Sequence, residues 1–339
     1  MIRAEHAHLG VAAQTHPGMT GKQNEDRFAV SAYRVAASNP TPSVFAVVAD
    51  GIGGHRGGEL AAEMAVNSVS HSVAQSDGFE PVKTLRGAIQ AASQAIIAQA
   101  QDEPQHLGMG TTCACAWVIG RRLYTASVGD SRIYLLRGSS ILQLTTDHTW
   151  IQEAIDKGIL STEQMRERPN IHVIRRYLGS AEPPEADLRM RVRGDETDTQ
   201  AEANQGLLLH PGDRLLLCTD GLTDEVNDEE IHAAAAGRDT PMRSVGSLLT
   251  RIREAFSVSA RASDPPGGSG QQLNSAAQAL VELANSHGGF DNVTVVLMQV
   301  PGKPSEQQRR PWPWLASSAA RLFLLALAGG LAWISLQGL

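Results

Sequence analysis

The 339-residue chain carries 29 basic and 36 acidic residues, a formal net charge of −7, with 42% hydrophobic and 19% charged residues. That mix suits a folded globular protein and excludes a disordered chain; the acidic balance excludes a nucleic-acid binder, whose surface must match phosphate charge. Cys113, Cys115 and Cys218 show neither disulfide-framework nor zinc spacing, so the composition fits a reducing compartment.

Taken in chain order, residues 1–14 hold no apolar stretch of signal-peptide length. Residues 44–50 (VFAVVAD) are a short apolar run, predicted as a buried strand that ends in a glycine-rich turn over 51–58. Good helix formers predict helices over 59–74 and 81–101. The β-rich runs 111–118, 122–128 and 132–137 are separated by Gly120 and by Gly129-Asp130, which predicts antiparallel hairpins. Residues 147–206 are polar and predict a surface flap. Strands are predicted at 215–219 and 293–300, with Ala-rich helices at 229–236, 245–256 and 275–286. Residues 257–275 have the composition of a flexible insert, and 301–314 that of a polar, proline-containing linker. Hairpins beside helices predict an α+β fold of sheets covered by helices, in one domain over 1–300.

The chain's last segment is of a different kind. Residues 322–339 contain no charge, and 315–339 contain only Arg321. An 18-residue helix rises about 27 Å, close to the roughly 30 Å hydrocarbon core of a bilayer. Arg309, Arg310, Trp312 and Trp314 just before it match a cytoplasmic membrane interface. The expectation is a transmembrane tail anchor over 315–339, contacting membrane lipid and placing the preceding domain on the cytoplasmic side of the cell membrane.

Acidic residues recur at the ends of the apolar strands: Glu25-Asp26, Asp50-Gly51, Asp130, Asp220-Gly221 and Asp291-Asn292. One aspartate at a strand end is an ordinary turn residue. Five such places on one sheet edge would repel one another unless cations neutralised them. An all-oxygen set poor in cysteine and histidine points to Mg²⁺ or Mn²⁺.

The ordered series Gly18-x-x-Gly21-x-x-Asn24-Glu25-Asp26, Asp50-Gly51-Ile52-Gly53-Gly54-His55, Gly110-Thr111-Thr112, Gly129-Asp130-Ser131-Arg132, Asp220-Gly221-Leu222 and Asp291-Asn292 resembles the bacterial form of the type 2C metal-dependent Ser/Thr protein phosphatases. The resemblance covers roughly residues 8–300. It implies a four-layer α-β-β-α sandwich with two central antiparallel sheets and a cofactor of two Mn²⁺ or Mg²⁺ ions, with a third position beyond them. By the same resemblance Asp50 bridges two ions and the Gly51 carbonyl completes the first. Asp220 and Asp291 hold the second, Asp26 contacts metal or metal-bound water with Glu25 in that water shell, and Asp130 with Asp220 marks the third. Asn292 would touch substrate phosphate or bound water. The implied chemistry is in-line attack on phosphorus by a metal-activated water, so Cys218 reads as a strand residue and not a nucleophile. The implied partners are phosphorylated proteins, a Ser/Thr kinase or its substrates among them.

Two departures stand out. Gly21 occupies the place where the family usually has a phosphate-gripping Arg, leaving Lys22 as the substitute, with Arg27 and Arg56 as other candidates; Lys offers a point charge and not a planar fork. Ile52 stands where some eukaryotic members carry His. The missing Arg motivates the alternative reading, a tail-anchored phosphoprotein-binding scaffold with weak turnover. The loop 51–59 (GIGGHRGGE) invites a nucleotide-binding reading but lacks both the dinucleotide spacing and a GK[ST] ending. His172, Arg175 and Arg176 in the flap read as a solvated basic face.

Overall fold

A computed structural model describes residues 1–52, 57–156, 158, 173–237 and 269–302. The predicted helix at 245–256, residues 257–268 of the insert, most of the linker and the whole 315–339 tail lie outside these. Among the described residues no helix is long and apolar enough to cross a membrane.

Eleven of the strands form two fully antiparallel sheets. The first runs β1 (Ile2–Arg3), β3 (Arg27–Arg34), β4 (Pro42–Ala49), β7 (Cys113–Ile119), β8 (Arg122–Val128) and β11 (Leu207–Leu208) in spatial order. The second runs β10 (Ser140–Gln143), β9 (Arg132–Arg137), β12 (Arg214–Cys218), β13 (Val293–Gln299) and β2 (Gly10–His16). A two-stranded ribbon, β5 (Gly51–Ile52) with β6 (Gly110–Thr111), lies at their edge.

Three apolar clusters show how the layers stack. One joins Phe45, Val47, Cys115 and Trp117 of the first sheet to α1 (Gly57–Gln75) and α2 (Pro81–Asp102). A second joins Leu216, Cys218, Val295 and Leu297 to α6 (Asp228–Ala235) and α7 (Ser269–His287), which follow α3 (Trp150–Asp156), α4 (Asp198–Ala203) and α5 (Asp220–Thr223) in the chain. The third lies between the sheets, where Val44, Ala46 and Val48 meet Leu215, Leu217 and Val296. Alternate residues of β4 thus enter different cores, as the two-residue period of a strand requires, and both faces are buried. The result is the α-β-β-α sandwich.

Two sequence expectations are corrected. Residues 269–275, assigned to the flexible insert, are the opening turns of α7. Leu273, Ala276, Ala277, Leu280, Val281 and Ala284 repeat at helical spacing and are buried, so the apolar stripe starts before the predicted boundary. The second half of the predicted flap is part of the sandwich. Asp187 pairs with Ser127 of β8, and Leu188, Met190 and Ala201 are buried. Its acidic run contains α4, opened by a capping box in which Thr197 and Gln200 satisfy each other's backbone amides. The described part of the first half is tied down at its stem: Ile174 pairs with Thr149, and Leu178 with Thr111.

Candidate active site

The predicted acids stand where strands end, and the sandwich brings four of them together. Asp50 follows β4, Asp130 lies in the turn from β8 to β9, Asp220 follows β12 and opens α5, and Asp26 precedes β3. Burial, then the charges of Asp220, Asp26 and Asp130, holds the Asp50 carboxyl well above its usual range. Burial and Asp220 do the same to Asp130. Asp26 is pushed up to about 7 by burial and by Asp220 and Asp291, against opposing hydrogen bonds from Thr294 and Thr219. Acids so raised by one another form a single electrostatic cluster.

A second set of groups fixes these acids in place. Thr112 Oγ1 accepts from the Asp50 amide at 2.9 Å and meets Ser131 Oγ at 2.7 Å. Thr111 Oγ1 donates to the Asp50 carbonyl at 2.7 Å. Thr219 Oγ1 donates to Asp26 Oδ2 at 2.8 Å and accepts from the Thr294 amide at 3.0 Å. The Gly110-Thr111-Thr112 and Asp130-Ser131 words therefore act as braces for Asp50. Gly51 is packed against the backbone of Gly58 and Glu25, so a side chain there has no room. Gly58 in turn lies against the Glu25 carboxylate, at the start of α1.

The remaining predicted residues lie at the margin. Asp291 is on the rim, paired with Lys22 at 3.5 Å, and both side chains are more than half exposed. Asn292 is buried and its amide is committed to backbone: Oδ1 accepts from Glu25 N at 2.7 Å and Nδ2 donates to the Pro17 carbonyl at 3.1 Å. Asn292 thus splints the Glu25 and Asp291 segments together. Arg27 bonds to Glu59 and to the carbonyls of Asn24 and Asp26, which uses its donors internally. Among the described residues, Lys22 is the candidate cation that stands at Asp291 on the rim. His55, Arg56 and His172 lie outside the described residues. Cys218 is buried beneath β12 and its thiol is pushed up to about 12 by burial, as expected of a strand residue with no nucleophilic role.

The sequence reading missed Asp224. It follows Asp220 by one helical turn, and burial together with the Asp220 charge pushes it up to about 8. The signal was present as Asp220-x-x-x-Asp224 over a short helix, a spacing that puts both side chains on one face. It also missed Asp147, which takes a bidentate pair from Arg132, the shortest bond being 2.6 Å, and so fixes the Arg of the Gly129-Asp130-Ser131-Arg132 motif.

The donors suit a hard divalent cation. Asp26 Oδ1 and Asp130 Oδ1 are buried and meet no hydrogen-bond donor, the state expected of carboxylate oxygens that a cation satisfies. Among the described residues no three His, Cys, Asp or Glu side chains close around a single point. Water and the Gly51 carbonyl would therefore have to complete any coordination shell here.

Residues 15–254 match the protein family described as Protein phosphatase 2C. Over 292 residues the chain is 32% identical to the serine/threonine protein phosphatase PstP of Mycobacterium tuberculosis. That match takes in 86% of this chain and 45% of PstP, so the chain spans under half the length of that relative. It is 31% identical over 290 residues to the serine/threonine phosphatase stp of Listeria welshimeri, with 84% of this chain and 94% of the other covered. The crystal structure of the Mycobacterium tuberculosis phosphatase PstP/Ppp superposes with a TM-score of 0.65 at 30% identity, covering 87% of this chain and 99% of that one. The catalytic domain of PstP in complex with two manganese ions gives 0.62 at 31% identity, with the same coverage.

Proposed function

The chain belongs to the protein phosphatase 2C family, and from that premise we propose that it hydrolyses phosphoserine and phosphothreonine in proteins with the help of Mn²⁺ or Mg²⁺. One observation carries this reading: Asp26, Asp50 and Asp130 gather around Asp220 with raised affinities for protons, and Asp26 and Asp130 each keep a buried oxygen with no donor. Such a cluster is stable only when protonated or when loaded with cations.

Asp50, the Gly51 carbonyl, Asp220 and Asp291 would hold two ions, Asp26 with Glu25 would hold metal or metal-bound water, and Asp130 with Asp220 would serve a third ion. Divalent cations in that place supply Lewis acidity, which lowers the pKa of water and offsets charge on a phosphoryl group. The chain's own groups do the rest. Thr219 holds the Asp26 carboxylate, and Thr112, backed by Ser131, holds the Asp50 backbone, so that little reorganisation is needed during reaction. Lys22, at Asp291, offers an ammonium to a phosphoryl group entering from the open side. Its single charge orients the group less tightly than an Arg fork would.

Beyond the chemistry, the reading places a phosphatase domain over 1–300 and treats 315–339 as a membrane anchor on the cytoplasmic face. The uncharged run at 322–339 supports the anchor. Phosphoproteins of a Ser/Thr kinase circuit are then the substrates. The test is turnover of p-nitrophenyl phosphate and of a phosphothreonine peptide with Mn²⁺, with chelator, and in Asp50→Asn. The expected outcome is loss of activity by at least about 10³-fold on chelation or substitution, a loss of about 4 kcal/mol in transition-state stabilisation. Chelator-resistant turnover would contradict the proposal. For the anchor, a form ending at Gln307 should leave the membrane fraction that holds the full chain; the same fractionation for both would reject it.

A further inference from the structure

Two large apolar side chains stand in water at the lip of the carboxylate cleft. Met19 and Phe290 are each 64% exposed. They come from opposite ends of the domain, and Met19 is joined there to Gly289, the residue before Phe290. The Met19 amide donates to the Gly289 carbonyl at 2.7 Å, and the Met19 side chain lies over the bare face of Gly289, where a Cβ would stand 2.7 Å from Met19 Cγ. The Phe290 ring turns back over Gly288, where a Cβ would come within 2.5 Å of it. Gly18, in the left-handed region at φ +76°, is pressed against the Asp291 carbonyl, so the two segments are locked together. The glycines thus create the level surface on which the two side chains lie.

The position of this surface defines what it meets. Phe290 directly precedes Asp291, and Met19 is three residues before Lys22, the ion pair on the rim. A phosphorylated side chain that reaches Lys22 and Asp291 would bring its neighbouring residues close to the segments that carry Met19 and Phe290. Exposed apolar groups continuous with a catalytic cleft mark a contact surface.

We propose that Met19 and Phe290 form a specificity ledge that receives an apolar side chain flanking the phosphorylated residue of the substrate protein. This rests on the phosphatase reading and names the class of sequence the site prefers. The ledge offers contact area and no charge, so acidic or basic neighbours of the phosphorylated residue lose hydration there without gaining a partner.

The test compares kcat/KM of the Mn²⁺-loaded full chain on phosphothreonine peptides that differ only at the flanking positions, carrying Leu or Phe, Ser, or Asp. The wild type should prefer the apolar peptide by about tenfold. In the double variant Met19→Ser, Phe290→Ser that ratio should fall to near one; because it is a ratio within one protein, partial loss of folded enzyme cancels. Met19→Lys should shift the preference towards the Asp peptide. A wild-type ratio near one, or a tenfold ratio kept in the double variant, overturns the ledge. Turnover of p-nitrophenyl phosphate separates the two readings: if it proceeds while the peptide ratio is near one, the ledge alone fails. If neither substrate is hydrolysed, both fail.

Discussion

Two buried aspartates, Asp26 in the cleft and Asp187 beside β8, have the same chemistry and similar burial but opposite proton affinities. Burial alone would raise both. At Asp187 the bonds from His148 and Arg189 outweigh it and hold the carboxyl well below the usual range. Arg189 donates through its amide, Nε and Nη2, and His148 Nε2 is 3.1 Å away. The Gly129 amide donates to His148 Nδ1 at 3.0 Å, which leaves the His148 proton on Nε2, facing Asp187. At Asp26 the protein supplies only the hydroxyls of Thr294 and Thr219 and surrounds the group with more acids. The fold satisfies the Asp187 carboxylate and leaves Asp26 Oδ1 without a donor, where the proposed function would set a cation.

The largest effect should come from breaking the completed site. Asp187→Ala strands Arg189 and His148 and should cost about 3–5 kcal/mol in urea unfolding. Its pH dependence has a definite sign. A carboxyl held below its unfolded value of about 3.9 contributes stability that is full above that pH and is lost as pH falls through the lower folded value. Wild type should therefore lose stability below about pH 4 more steeply than Asp187→Asn, and parallel curves would count against the pairing. The incomplete site should respond to metal instead. Mn²⁺ at about 100-fold its Kd should stabilise the wild type by about 2.7 kcal/mol. Calorimetry should find that gain absent in Asp50→Asn. The smallest effect is the sharpest discriminator: with chelator present, Asp220→Asn should unfold at higher temperature than wild type, by about 1 kcal/mol, because an amide donor replaces a repelling carboxylate beside Asp50. A lower unfolding temperature would mean that the acids do not strain the cleft.

Much of this was legible in the sequence where punctuation was strong. Strands β8 and β9 begin and end at the predicted residues because Gly120, Gly129 and Asp130 bound them. The acids were legible because each closes or opens an apolar run. Their braces were not. Thr112, Ser131 and Thr219 carry no periodicity, and a hydroxyl's partner is decided only by folding. The pairing of His148 with Asp187 spans 39 residues of chain and has no local sign. The start of α7 was missed for a different reason: Gly- and Pro-rich composition just before it masked the helical spacing that begins at Leu273. Lys22 was legible as a candidate, but its place at Asp291 depends on β2 and β13 lying side by side.

That neighbouring pair has a consequence for the timing of assembly. β2, near the start of the chain, hydrogen-bonds among the described strands only to β13, residues 293–299, joining Gly10 to Gln299 and His16 to Val293. During synthesis β2 waits without its neighbour until almost 300 residues have been made, and contacts that far apart in sequence form slowly. The Met19–Gly289 bond, the Asn292 splint and the Lys22–Asp291 pair can form only after that closure. A nascent or truncated chain lacking β13 cannot make these three contacts, so the proposed hydrolysis would report that β13 has docked.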